Sequence, residues 1–374
     1  MTANLISDLP ADHGWRVVVA SVGKAAPAAS SALARGLGIP AARVVACLYR
    51  APAVLIDGIG REVAQTMVGL LGRLGYVAEA QPESAPAPGP CHLFDVALHI
   101  ADPHQADAAA EALAGFTGMT VADAMAMLLD PPGVVLGAIS AATVAAFRAR
   151  LPDGVEAIAS RPEDARYQLY LGDGPEVIKA RLRADLAALG FDGRVGNGLV
   201  ATGVSHRTAR DLWQRHQASG LLRVVNEDFL RFDLVLHGAN GADPQAPEVI
   251  EALSVIADMP AEAIPMVFAA PPIVLCSGLT LAGVGSRLPA LAELGLDVRA
   301  ELTTFQRIGL EVLAIGDRAG TEALLRAGGE LAVGQSLPAC PFSAGRTLPE
   351  TLARIRRAAL ETLGCTVRFE EDRP

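Results

Sequence analysis

A strand signal returns five times along this chain. The segments "WRVVVAS" (15–21), "FDVALHI" (94–100), "YQLYL" (167–171), "FDLVLH" (232–237) and "LEVLAI" (310–315) alternate apolar with other residues. A period of two puts alternate side chains on one face, so each predicts a strand with one side on a core. After the strand the period lengthens. An alanine-rich stretch ends near "LGIP", "TGMT" or "ADMP", and a shorter one follows, "AARVVACLY", "VADAMAMLL" or "AEAIPMVFA". Both predict helices. A third helical pattern closes the unit, as in "GREVAQTMVGLLGRLGYVAEA", where Val63, Met67, Leu70, Leu71 and Leu74 precede an alternating strand.

The punctuation repeats with the elements. In "APAVLIDGI" (51–59), "PPGVVLGAI" (131–139) and "PPIVLCSGL" (271–279), a proline stands seven residues before an aliphatic: Pro52 and Ile59, Pro132 and Ile139, Pro272 and Leu279. Fourteen residues separate Gly38 from Pro52, Gly118 from Pro132 and Asp258 from Pro272. Sixteen separate Ile59 from Gly75, Val204 from Gly220, Leu279 from Gly295 and Leu348 from Gly364; the interval from Ile139 to Gly154 is one shorter. That glycine falls where a helix stops, a place for a left-handed residue without a Cβ.

These intervals predict an α/β (α+β) fold of five tandem β-α-α-β-α-β modules, each a three-stranded sheet with helices on one face. The boundaries are repeat 1 (15–82), a proline-rich linker (83–93), repeat 2 (94–160), repeat 3 (166–227), repeat 4 (232–303) and repeat 5 (308–370). Repeats 3 and 5 read as reduced. Val204 comes only fourteen residues after Gly190, whereas Ile59 comes twenty-one after Gly38, and "AVGQSLPACPFSAGRT" is rich in breakers. The linker "PESAPAPGP" predicts an extended, stiff spacer, whereas the short joins "SRPEDA" and "NEDFLR" predict neighbours in contact.

The unit resembles the C-terminal domain of the bacterial ribosomal stalk protein, a fold shared with the adaptor of the Clp protease. Repeat 1 lies on that pattern without a gap: Gly38-Ile39 on the turn, Ala51-Pro52 on Ala-Pro, Gly58-Ile59 on Gly-Val, and Gly75 on the late glycine. Repeat 2 adds Phe94-Asp95-Val96 and Thr117-Gly118, and repeat 4 adds Phe232-Asp233-Leu234. The resemblance implies architecture rather than activity. The stalk domain meets translation factors through basic residues on its first two helices. Here those positions read Ser31, Ala34, Ala42 and Val45 in repeat 1, Glu111, Ala114, Ala122 and Met125 in repeat 2, and repeat 4 carries Glu251 and Glu262.

Composition narrows the class. The 374 residues are 51% hydrophobic, 4% aromatic and 19% charged, with a formal charge of −10. Several aliphatic cores are expected, and the acidity argues against broad binding of a nucleic-acid backbone. No apolar run reaches the roughly 18–20 residues of a membrane span, and the start "MTANLISDLPADHGW" does not read as a secretory signal. Cys47, Cys91, Cys276, Cys340 and Cys365 are scattered and odd in number, which fits reduced thiols in the cytoplasm of a bacterial cell.

Candidate chemistry is sparse. No phosphate-loop, nucleophile-elbow or HExxH motif is present. "GDGPEV" (172–177) and "GANGADP" (238–244) read as strand-to-helix turns ahead of phosphate cradles. His99 with Asp102 and His104, and the equivalent His237, read as locally bonded strand ends ahead of a metal site. Ser205-x-x-Thr208 reads as helix capping. What stands out is a basic surface in repeat 3, with Lys179, Arg181 and Arg183 on one helix and Arg207 and Arg210 on another, and methionines in repeat 2, Met125 and Met127. These are the candidate interaction residues; no catalytic, cofactor or metal-binding residue is assigned. The expectation is a non-catalytic scaffold or adaptor for protein partners in the cytoplasm. The alternatives are a ligand-binding or enzymatic protein with a pocket between repeats, and a ribosome- or protease-linked adaptor.

Overall fold

A computed structural model describes residues 13–172, 174–191, 198–269, 271–332 and 334–371. Repeat 1 runs β1 (His13–Ser21), α1 (Pro27–Leu37), α2 (Ala41–Tyr49), β2 (Ala53–Gly60), α3 (Arg61–Arg73) and β3 (Val77–Pro82). Repeat 2 follows the same order: β4 (Leu93–Ile100), α4 (Ala106–Thr117), α5 (Val121–Leu129), β5 (Val134–Ser140), α6 (Ala141–Arg148) and β6 (Val155–Ser160). Repeat 3 has β7 (Arg166–Leu171), α7 (Glu176–Ala188), β8 (Leu199–Ser205), α8 (His206–His216) and β9 (Leu222–Asn226). Repeat 4 has β10 (Phe232–Gly238), α9 (Pro247–Ile256), α10 (Ile264–Val267), β11 (Ile273–Leu279), α11 (Leu281–Glu293) and β12 (Asp297–Leu302). Repeat 5 has β13 (Arg307–Ala314), α12 (Arg318–Ala327), the split strand β14 (Phe342–Ser343) and β15 (Leu348–Pro349), α13 (Glu350–Thr362) and β16 (Thr366–Glu371). Among the described residues, repeats 3 and 5 have no second helix; residues 192–197, in the expected gap of repeat 3, lie outside the described ones. In repeat 4 the second helix shrinks to a 3-10 turn and one α turn, with Pro265 at its start.

In every sheet the first strand is central and both neighbours run antiparallel to it. The recurring aliphatic falls at one register position. Ile59 pairs with Trp15, Ile139 with Phe94, Val204 with Tyr167, Leu279 with Phe232 and Leu348 with Ile308. Two residues along the central strand, Val17, Val96, Leu169, Leu234 and Leu310 are all fully buried. Five residues past the aliphatic, the last long helix buries Ala64, Val144, Ala209, Val284 and Ala353. Four cis peptide bonds, Ala51-Pro52, Pro131-Pro132, Pro271-Pro272 and Cys340-Pro341, stand at matching distances ahead of it. The sixteen-residue glycines and Gly154 all take positive φ, as a helix-ending left-handed turn demands.

Between the aliphatic and the rest of its strand, two residues stand opposite one on the central strand, a β-bulge that frees a backbone N–H. A carboxylate accepts that N–H in four repeats, from two different places. Asp95 accepts from Ala138 at 3.0 Å and Asp233 from Gly278 at 2.9 Å, each from the central strand. Where that position holds Arg16 or Gln168, the acid comes from just beyond the third strand: Glu83 accepts from Gly58 at 2.5 Å and Glu227 from Gly203 at 2.8 Å. The donor residue is left-handed each time, and it is glycine except in repeat 2, where Ala138 has φ 55° and Gly137 is displaced by one. Ala138→Gly removes a left-handed penalty of about 1–2 kcal/mol and adds about 0.4–1 kcal/mol of unfolded-chain entropy, so it is expected to stabilise repeat 2 by about 0.5–1 kcal/mol. The check is a higher denaturation midpoint at an unchanged slope.

The chain divides into two compact units, one made mostly of repeats 1 and 2, the other of repeats 3 to 5. Within the first, the proline-rich segment is not the stiff spacer its composition predicts. It hydrogen-bonds back along repeat 1, with Glu83 N–H on Gly14 O (2.6 Å), Arg16 Nη2 on Ala85 O (2.6 Å) and Cys91 Sγ on Arg50 O (3.3 Å). This lets repeats 1 and 2 pack through helices. Tyr49 Oη donates to Phe116 O (2.7 Å), Thr143 Oγ1 to Tyr49 O (2.8 Å) and Arg150 Nη2 to Gly23 O (2.7 Å). Phe116 sits among Tyr49, Phe147 and the Arg150 guanidinium. No single helix among the described residues is long and apolar enough to cross a membrane; α4 and α5 together are apolar but meet at 116°.

Candidate functional site

In the second unit, repeats 3 and 4 meet differently. Alternation along β7 sends Tyr167, Leu169 and Leu171 to the helices and Gln168 and Tyr170 to the opposite face. That face is covered rather than solvated. Tyr170, Val225 and Leu230 form a second small core with Leu199, Phe232, Leu302 and Phe305, so the sheet of repeat 3 is packed on both sides. The cover is incomplete, and a cleft of about 900 Å³ opens there. Its walls include Gln168, Tyr170, Gly172, Arg223, Glu301 and Phe305.

The polar groups at the cleft have distinct commitments. Tyr170 Oη donates to Gln168 Oε1 at 2.5 Å, and its phenol is pushed up to about 12, by burial first and by the nearby Glu227 charge second, so it stays a neutral donor. The Tyr170 ring meets Phe305 edge-on at 5.1 Å. The Arg223 guanidinium lies over the same phenylalanine, 5.7 Å from its centroid. Glu301 Oε1 is bonded to His237 Nε2 at 3.0 Å. Thus Gly172 from the "GDGP" loop borders the cleft, and His237 touches it only through Glu301.

Where repeat 4 meets repeat 5, Asp233 and Glu350 both have raised pKa values. Burial is the first cause for each. The bond from Gly278 and the Arg354 charge oppose it at Asp233, and Arg354 opposes it at Glu350, while the Asp233 charge adds to it there. A carboxyl raised on folding binds its proton more tightly in the native state, so its contribution is full below the unfolded pKa and lost as pH rises through the folded one. Glu350→Gln removes one of the two titrations. The gain in melting temperature on going from about pH 7 to about pH 5 is expected to shrink in that variant; an unchanged gain would exclude Glu350 as a source.

The basic residues of repeat 3 divide. Lys179 and Arg183 are both paired with Glu176 on their own helix, and the Lys179 hydrogen bond is the first cause of the lowered Glu176 pKa. Arg181, Arg207 and Arg210 are exposed and have no ion-pair partner among the described residues. Trp213 (46% exposed) and Val177 (82%) stand on the same two helices. The helices are tied by His216 Nε2 and Asp185 Oδ2 at 2.9 Å. His216 occupies the offset, twelve past the aliphatic, where repeats 1, 4 and 5 bury Leu71, Leu291 and Leu360. That offset is the sequence signal for His216.

Met125 and Met127 are half-buried on α5, beside the fully packed Ala124 and Leu128. Ser205 caps α8 through Thr208 N, and Ser140 and Thr280 do the same for α6 and α11. Among the described residues no three His, Cys, Asp or Glu side chains are grouped to hold a metal ion, so His99, Asp102 and His104 do not form one. In comparisons with known proteins, no family profile, no curated protein and no solved structure matches this chain.

Proposed function

We propose that the protein is a non-catalytic tandem-repeat scaffold or adaptor of the bacterial cytoplasm that binds protein partners through the helix layer of repeat 3. One observation carries this reading. Arg181 on α7, and Arg207 and Arg210 on the helix that carries the exposed Trp213, serve no ion pair among the described residues, whereas Lys179 and Arg183 do serve one. Arginine with tryptophan is the composition of binding hot spots, and in a chain of charge −10 a local cationic face selects an acidic partner. The resemblance to the stalk domain supports the architecture of such an array. Several repeats on one chain add weak contacts through effective concentration.

The test is affinity purification from the native cell with wild type and an R181E/R207E/R210E variant. The wild type is expected to recover one defined complex that salt weakens, and the variant to lose it with an unchanged melting temperature, since all three side chains are exposed. Equal recovery by both proteins would defeat the proposal.

A further inference from the structure

The cleft of repeats 3 and 4 goes beyond a scaffold role and rests on none of the evidence for one. We propose that it binds a small aromatic carboxylate. Its volume, about 900 Å³, lies within the range of small-molecule sites, roughly 300–1,000 Å³. Aromatic and aliphatic side chains, among them Tyr170, Phe305, Phe232, Leu199 and Leu302, form one part of its wall.

Two unspent donors point to the ligand. Gln168 is 7% exposed, and its Oε1 is occupied by the Tyr170 hydroxyl. Its Nε2 has no hydrogen-bond partner among the described residues, yet that atom is not among those sealed from solvent. Since the residue lines the cleft, the free N–H groups open into it. A ligand oxygen in the cleft could accept from them in place of solvent. The second group is Arg223, exposed at the cleft and stacked on Phe305, with no ion-pair or hydrogen-bond partner among the described residues. A guanidinium held against a ring keeps its edge N–H groups in plane for a two-pronged bond to a carboxylate.

Two other polar side chains line the cleft: Glu301, bonded through Oε1 to His237, and Gln306, whose amide can donate as well as accept. Gln168 and Arg223 thus offer donors, one of them with full charge, next to flat apolar walls. A dicarboxylate without a ring would leave those walls wet, and a neutral aromatic would leave Arg223 without a counter-charge. A carboxylate on a flat ring meets both demands.

Isothermal titration of the full chain with indole-3-acetate, its neutral amide and succinate separates the terms. The acid is expected to bind saturably, one per chain. The amide should bind at least about tenfold more weakly, the effect of one charge-assisted pair, and succinate should give no saturable heat. In the protein, R223M should bring the acid down to the affinity of the amide, and Q168L should weaken it several-fold. The proposal is overturned by an absence of binding at millimolar acid, by equal affinity for acid and amide, by succinate binding as well as the acid, or by R223M binding as the wild type does. The acid–amide comparison uses the unaltered protein and stays decisive whatever the variants do to folding.

Discussion

Replacing Phe116 by alanine is expected to cost about 3–5 kcal/mol and to lower the stability of repeat 1 as well as its own repeat. The side chain is 3% exposed and belongs to α4 of repeat 2, but much of what surrounds it is shared. Phe147 (4.8 Å between centroids) belongs to repeat 2, whereas Tyr49 (5.6 Å) belongs to repeat 1, and the Arg150 guanidinium over its face is bonded to Gly23 O and Ala25 O of repeat 1. Truncation empties the centre of that joint, removing ring contacts and the cation–π partner of an arginine tied to another module. The chain has two tryptophans, Trp15 in repeat 1 and Trp213 in repeat 3, so a Trp213→Phe background leaves Trp15 as the reporter. The Trp15 transition in denaturant should move to a lower midpoint in F116A although the substitution lies in the other repeat. If it does not move, repeats 1 and 2 unfold independently and the joint carries no cooperativity.

What could be read from sequence follows from range. The seven-residue proline-to-aliphatic interval and the sixteen-residue glycine interval lie inside single modules, and they mark the aliphatics from Ile59 to Leu348, whose partners on the central strands the structure supplies, and the left-handed turns. Short-range periodicity carries that information because strand alternation and helix termination are local events. The bulge carboxylates escaped it. Whether Asp95 or Glu83 answers the freed N–H depends on partners 43 and 25 residues apart, and an acid in one place compensates for Arg16 in another. The proline-rich segment misled for a related reason. Its composition reports stiffness in isolation, whereas its course is set by Gly14, Arg16 and Arg50, which accept or donate hydrogen bonds along it. The cleft was hidden at Gln168 and Tyr170, which alternation assigns to a face away from the helices without saying that Phe305, from the join after repeat 4, would cover it. Arg181, Arg207 and Arg210 could be named from the sequence as basic helix residues, but their separation from Lys179 and Arg183 required the ion pairs.

The recurring helix-end glycine has different duties in different repeats. Gly220 has φ 66° and open space where a Cβ would go. Gly220→Ala should therefore cost only the left-handed penalty, about 1–2 kcal/mol. Gly75 has φ 94°, and its Cβ would stand 2.8 Å from Ala25 N and 2.9 Å from Lys24 C. Both are backbone atoms, so neither can yield by rotating a side chain. The turn they belong to is pinned from both sides, by Lys24 N–H on Gly75 O at 2.9 Å and by Arg150 on Gly23 O and Ala25 O. Gly75→Ala should add an overpacking cost of about 1–3 kcal/mol to the left-handed one, giving the larger loss of the pair. Single-tryptophan versions measure both, Trp15 for G75A and Trp213 for G220A. Equal losses would mean that the turn at 23–25 retreats freely, and the Arg150 anchor of repeat 2 would then have no rigid target. A larger loss in G75A, reduced when Arg150 is truncated, would show that a helix-ending glycine in one module also holds the seat for its neighbour.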